Sequence, residues 1–527
     1  MARDAAVDLI LHRGRVRTQD LAAPEATAIA VGAGRIVAVG EDKAISGLGS
    51  RDTPRVDLGG ATVVPGLIDA HAHIWKMGHL LTSMVDLRHA HSIPELAQLL
   101  GRAAARLPPG AWLLGRGFNE ANLREGRAPV RHDLDLVANN RPIVLTRTCG
   151  HIYAVNGAAL ATCGITRSTE PPPGGVVDRD ATGDPTGILR ETAMGLVNAH
   201  LPPPTAAEHT AMIEAALRHQ LELGITSTCD AGVSPALLEV YRAMDARGAL
   251  PIHVNVMALR KVDGVGVVPL GRTTVGDRLR IDTAKFLADG GLSGATAALS
   301  QPYRHTKGEG VLRFEDAELL ALAREAQEAG WRIATHAIGD VAIDQVLEVY
   351  EALGRNGVRH RIEHLGLPSA AQLARAAALD VIAVPQSVFL HELGRNFRAA
   401  LPDSFLPRTY PIRDMVDAGL TVALSSDAPV VEDDGIFRGI QSAVDRLDDE
   451  GVAIAPGQSI TAAEALYAYT MGGAIACGED AQRGSITAGK RADFAVLSGD
   501  PLTTETAALA TITVDQTWVA GRLAYER

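Results

Sequence analysis

His71 and His73 stand one residue apart, close behind an apolar run at residues 61–68 that reads as a buried strand. Side chains two apart on a strand share a face, so both imidazoles can be offered to one ion, and imidazole suits zinc, iron and nickel. Alone, such a pair is more often hydrogen-bonded or solvated than metal-bound. Four further candidates occupy comparable places. Lys285 lies within the apolar run 281–286, His336 ends the run 332–336, His364 ends 359–364, and Asp427 directly follows 421–426. The chemistry in view is metal binding by side chains far apart in the chain.

Those side chains need a frame that gathers them. The runs 225–229, 252–257, 281–286, 332–336, 359–364, 381–384 and 421–426 alternate with alanine- and leucine-rich helical stretches such as 206–223, 314–329 and 370–379. This is the βαβα pattern of a parallel sheet or barrel. With the run before His71 there are eight strands, the number of a (β/α)8 TIM-type barrel of the α/β class, whose reacting groups stand at the C-terminal strand ends. His71, His73, Lys285, His336, His364 and Asp427 then converge on one rim. Each has an ordinary reading: a histidine satisfied by backbone, a snorkelling lysine, an aspartate capping the next helix. A set spread over five strands is much harder to explain that way.

About 150 residues separate the first strand from the second, far more than one helix needs, so a cap is expected at about 100–205. Short β-like runs punctuated by glycine open the chain, and a similar texture returns at its end. The two termini are read as one small β-sandwich, residues 1–63 with 473–527, around a barrel at 64–472.

Lys+Arg of 50 against Asp+Glu of 62 leaves −12, which argues against nucleic acid or an anionic membrane as partner. Cys149, Cys163, Cys229 and Cys477 show no C-x-x-C spacing and fit thiols of a reducing compartment. Residues 1–8 carry no leader pattern and no apolar run reaches membrane-spanning length, so a cytoplasmic enzyme is expected.

Several stretches carry a resemblance: Val64-Pro65-Gly66-Leu67-Ile68-Asp69-Ala70-His71-Ala72-His73, Lys285-Phe286-Leu287-Ala288-Asp289-Gly290, Ala334-Thr335-His336-Ala337-Ile338-Gly339-Asp340, Arg361-Ile362-Glu363-His364, Ser425-Ser426-Asp427-Ala428-Pro429, and Gly484-Ser485-Ile486-Thr487-Ala488-Gly489-Lys490-Arg491-Ala492-Asp493. Over nearly its whole length the chain resembles the amidohydrolase superfamily. Gly150-His151, Asn156-Gly157-Ala158-Ala159-Leu160 and Pro185-Thr186-Gly187-Ile188-Leu189-Arg190-Glu191 are similar to the YtcJ-like branch, which includes N-substituted formamide deformylases; that branch usually shows serine where Gly157 stands.

The resemblance implies two divalent ions, zinc by expectation. His71, His73 and Asp427 would hold the first and His336 and His364 the second, with Lys285, carboxylated by carbon dioxide to a carbamate, as the bridge. It implies hydrolysis of an amide-type C–N bond in a small molecule such as an N-formyl or N-acyl amine, through a metal-bridging hydroxide with Asp427 as general base and then acid. His151 and Arg116 are candidates for touching substrate. Glu191 is a candidate for the same role, for an alternative carboxylate ligand, or for orienting a histidine. Gly339 stands where a deaminase of the superfamily commonly has glutamate, which disfavours ring deamination. A lactonase, esterase or cyclic-amide hydrolase on the same site, and a catalytically silent regulatory protein, are the rival readings. A symmetric homodimer is common at this size.

Overall fold

The computed structural model describes residues 6–262 and 265–527. Residues 1–5, part of the segment read as lacking a leader, lie outside the described residues. Eight parallel strands form one curled sheet: β1 Leu67–Ala72, β2 Ile225–Val233, β3 His253–Leu259, β4 Leu279–Leu287, β5 Arg332–Ala337, β6 Arg361–His364, β7 Ile382–Val384 and β8 Thr421–Val422. Neighbours in the sheet are neighbours in this order; the eighth is shorter than its apolar run at 421–426 and stops at Val422, so Asp427 stands on the loop beyond it and does not directly follow a strand. The strands are buried on both faces, as near-continuous Val/Ile/Leu/Ala runs covered by helices must be. Among the described residues no ladder joins β8 to β1. Two backbone hydrogen bonds cross that seam instead, Asp427 N–H to the His71 carbonyl and His73 N–H to the Ala428 carbonyl, each 2.8 Å. The Asp69 carboxyl reinforces them by accepting from Ser426 N at 3.1 Å and Ser426 Oγ at 2.5 Å.

The run at 61–68, expected as one strand, is two. Thr62–Pro65 pairs with Phe494–Leu497 and Arg15–Arg17 in a sheet built from both ends of the chain, and β1 starts only at Leu67. Gly66 makes the transfer possible, because a Cβ there would lie 2.1 Å from Thr226 Oγ1. An apolar run buried on both faces carries no mark of which sheet it will join.

A second terminal sheet, Arg55–Asp57, Leu9–His12, Ala28–Gly32 and Arg35–Gly40, shares an apolar cluster with the first that includes Leu11, Ile29, Phe494 and Trp518. Between β1 and β2 the chain builds a separate six-stranded sheet running from Val85–Asp86 to Pro185–Glu191, with apolar clusters of its own. It leans on the barrel rim: Thr148 Oγ1 donates to Val430 O at 2.5 Å, and Arg147 reaches Ser293 Oγ at 2.9 Å. No described helix is long and apolar enough to cross a membrane.

Candidate metal centre

His71 is the fifth residue of β1, and His73 follows it as the residue that opens helix α1, Ile74–Thr82. Each ring spends its Nδ1 on the protein. His71 Nδ1 donates to the Glu363 carboxylate, and His73 Nδ1 donates to the Ala231 carbonyl at 2.7 Å. A neutral imidazole that donates from Nδ1 has a bare lone pair on Nε2. Both Nε2 atoms face Asp427 Oδ1, from His71 at 3.4 Å and from His73 at 3.1 Å. Ligand atoms of these three residues lie within 4.8 Å of one another. Burial holds both rings neutral. It pushes His71, with help from the Lys285 charge, well below its ordinary range, and with Lys76 brings His73 down to about 4. Three lone-pair-bearing atoms turned toward one another repel unless a cation sits among them, so the donor set fits a divalent ion.

Beside this trio lie the other two histidines. The His364 ring is 5.1 Å from His71 and 4.3 Å from His336, centroid to centroid. His364 Nδ1 donates to Gln386 Oε1 at 2.6 Å; Gln386 is fixed in that orientation because its amide nitrogen donates to Val384 O at 2.9 Å and Ser425 Oγ at 2.8 Å. His336 is held the other way round, with Nε2 at 3.1 Å from the Gly290 carbonyl and 3.2 Å from Asp289 Oδ1. The free lone pairs are therefore Nε2 of His364 and Nδ1 of His336. Lys285, in β4, is 1 % exposed, and its Nζ has no hydrogen-bond partner among the described residues. Burial brings it down to about 8, against the pull of Glu363 and Asp427.

Glu363, Gln386 and Asp289 orient three of the four histidines, and they were not singled out from the sequence. A signal existed for Glu363: Arg361 and Glu363 are charged residues two apart in a fully buried strand. Arg361 grips Glu363 with Nε at 2.7 Å and Nη2 at 2.8 Å, which fixes the carboxylate for His71. Three residues here are non-glycines with positive φ: Glu191 at 51°, His364 at 71° and Asp427 at 58°. Strain of this kind persists where surroundings over-determine the backbone, and functional sites are the usual places.

The inserted sheet brings His151 to the same place. His151 lines a pocket with His336, His364 and Asp427, walled by Phe389, Leu393, Phe397, Tyr410 and Val430. Its Nδ1 pairs with Glu191 Oε2 at 2.9 Å, and Arg313 Nη1 reaches the same oxygen at 3.2 Å. That environment pushes Glu191 down to about 2 despite burial, through His151 first and Arg313 after it. Glu191 thus serves His151 and does not join the trio around Asp427. Arg116 is buried on the strand Leu113–Phe118 and lies outside the pocket wall.

Comparison with known proteins gives the family and the fold. The amidohydrolase family matches residues 55–525. The N-substituted formamide deformylase of Arthrobacter pascens is 32% identical over 99% of this chain and 98% of its own length. The YtcJ protein of Bacillus subtilis (strain 168) is 30% identical over 91% of this chain and 92% of its own. Among solved structures, an uncharacterized metal-dependent hydrolase from Pyrococcus horikoshii OT3 superposes with a TM-score of 0.77 at 27% identity, covering 95% of this chain and 99% of that one.

Proposed function

The chain belongs to the amidohydrolase family, a family of metal-dependent hydrolases, and on that premise we propose that it cleaves the amide-type C–N bond of a small molecule, an N-formyl or N-acyl amine. The observation that carries the reading is the meeting of His71 Nε2, His73 Nε2 and Asp427 Oδ1, three acceptors within 4.8 Å. In this reading His71, His73 and Asp427 would hold one ion, zinc by donor chemistry, and His336 and His364 a second, and Lys285, as the carbamate formed when its neutral amine adds carbon dioxide and releases a proton, would contribute a further anionic ligand. Such ions, when bound, activate water and polarise a carbonyl.

The remaining work falls to the chain itself. Asp427 accepts the proton of the attacking water and returns it to the departing amine, held for the task by its backbone bond to the His71 carbonyl, 2.8 Å. Glu363, Gln386 and Asp289 keep the imidazoles from turning. Phe389, Phe397 and Val430 exclude water around an apolar substituent. The barrel from Leu67 onward is then the catalytic body, the sheets from the two ends of the chain a β-sandwich domain that also takes in Val64 and Pro65, which the sequence reading places in the barrel, and the insertion a cap that closes the pocket. The test is release of amine from a panel of N-formyl and N-acyl amines by zinc-loaded protein. Asp427→Asn should lower kcat by about 10²-fold or more at equal metal content. No amine from any member of the panel would sink the proposal, and equal rates would remove Asp427 from the chemistry.

A further inference from the structure

Tyr410 holds a backbone conformation that a bulky residue rarely takes. Its φ is 46°, in the left-handed region, where an aromatic side chain is strained. Its neighbours keep it there. The Tyr410 N–H donates to the carbonyl of Gly366, just beyond His364, at 2.7 Å, and its own carbonyl accepts from Arg446 Nη1 at 3.2 Å. Arg446 is fully buried and is itself fixed, with Nη2 donating to the Thr409 carbonyl at 2.7 Å and Nε to the Ile454 carbonyl at 2.9 Å, so one guanidinium clamps two successive carbonyls at Tyr410. The ring is confined as well. It meets Phe389 edge-on at 5.9 Å and stacks on Phe397 at 6.0 Å, and Phe389 stacks on His364 at 6.3 Å, centroid to centroid.

What this framework delivers is a hydroxyl. Tyr410 is 1 % exposed and lines the same pocket as Asp427, His336 and His364, yet its hydroxyl makes no hydrogen bond among the described residues. A buried phenol normally finds a partner, and the pocket is where this one can find it. Ser293, the other hydroxyl of that wall, is already engaged by Arg147 at 2.9 Å. The pocket is small, about 20 Å³, little more than one water requires, so a carbonyl group that enters it lies against Tyr410 as well as Asp427. A phenol keeps its proton near neutral pH, and burial with the Asp427 charge moves this one further up. Tyr410 thus offers a donor where the Asp427 carboxylate can only accept.

We infer that Tyr410 is a second catalytic residue, whose hydroxyl donates to the carbonyl oxygen of the substrate as that oxygen takes negative charge. This rests on the amide-hydrolase reading above. As the water oxygen bonds to the carbonyl carbon, the C=O π pair moves onto oxygen, and the Tyr410 O–H stabilises that oxyanion without giving up its proton. When the C=O bond re-forms, the C–N bond breaks and the amine leaves with the proton that Asp427 returns. A hydroxyl fixed in advance needs no reorganisation at that moment.

Tyr410→Phe removes the oxygen and keeps the ring. On the best N-formyl or N-acyl amine of the panel, kcat should fall by about 10²-fold with KM within about threefold, at equal metal content and with an unchanged denaturant melt. Calorimetry reads the donor without turnover: benzyl methylphosphonate, whose tetrahedral phosphorus carries an anionic oxygen, should bind Tyr410→Phe at least about tenfold more weakly than wild type, while benzylamine, which has no such oxygen, should bind both alike. A kcat within about threefold of wild type, a change confined to KM, or equal phosphonate binding by the two proteins overturns the role of Tyr410 and leaves the hydrolase standing. If no member of the panel releases amine, phosphonate binding that depends on Tyr410 overturns the hydrolase reading and retains the hydroxyl donor, whereas equal binding overturns both.

Discussion

Replacing Glu363 by glutamine probes the orientation of His71 with almost no change of shape. In the native protein Glu363 Oε1 accepts from Arg361 Nε at 2.7 Å, while Oε2 accepts both from Arg361 Nη2 at 2.8 Å and from His71 Nδ1. All three contacts need acceptors, and an amide offers only one. If the amide oxygen faces His71, its NH2 group confronts a guanidinium N–H. If the NH2 group faces His71, the ring must present a bare Nδ1 and carry its proton on Nε2, the atom turned toward Asp427. The second arrangement destroys a metal ligand, and the first leaves Arg361, 1 % exposed, short of its counter-charge. Loss of an outer partner of this kind weakens metal binding by about 10–100-fold, and breaking a buried pair by removing one charge costs roughly 3–5 kcal/mol. Chelator competition for zinc and denaturant melts of the metal-free protein measure the two separately. Zinc affinity within twofold of wild type, with the melt unchanged, would refute the claim that Glu363 fixes the His71 tautomer.

Two more expectations follow from buried charge. With Lys285 at about 8, roughly one amine in ten is neutral at pH 7, against about one in several thousand for an ordinary lysine, so carbon dioxide has a reactive partner. Metal analysis should find two ions per chain after expression with bicarbonate and about one in Lys285→Ala; unchanged loading would rule out the bridge. Glu191, held down at about 2 by His151 and Arg313 against burial, has a folded pKa below its unfolded one, so its stabilisation is complete above about pH 4.5 and is lost as pH falls toward 2. The Glu191→Gln stability deficit, about 3 kcal/mol near pH 6, should therefore shrink steadily below pH 4.5, and a deficit that ignores pH would contradict the assignment.

The legible part of the fold was the part that repeats locally. Runs such as 332–336 and 359–364 announce buried strands because both faces are apolar, and the strands β5 and β6 lie where those runs do. The run at 61–68 shows the limit: it has the same texture throughout, yet Gly66 divides it between two sheets because Thr226 leaves no room for a side chain. The candidate site divides likewise. Histidine, lysine and aspartate at strand ends could be listed as donors, whereas Gln386 and Asp289 as orienting groups could not, since nothing near them in the chain shows which ring they will meet.

Residue types and their periodicity determined that this protein carries eight buried strands with imidazoles and an amine in or just after them and a carboxylate on the loop beyond the eighth. Tertiary structure alone decided which nitrogen of each ring is free and that Glu191 serves His151. The reason is distance along the chain. His71 and Glu363 are 292 positions apart, and a tautomer or an unpaired charge is fixed by what lies opposite in space, which local propensity does not encode.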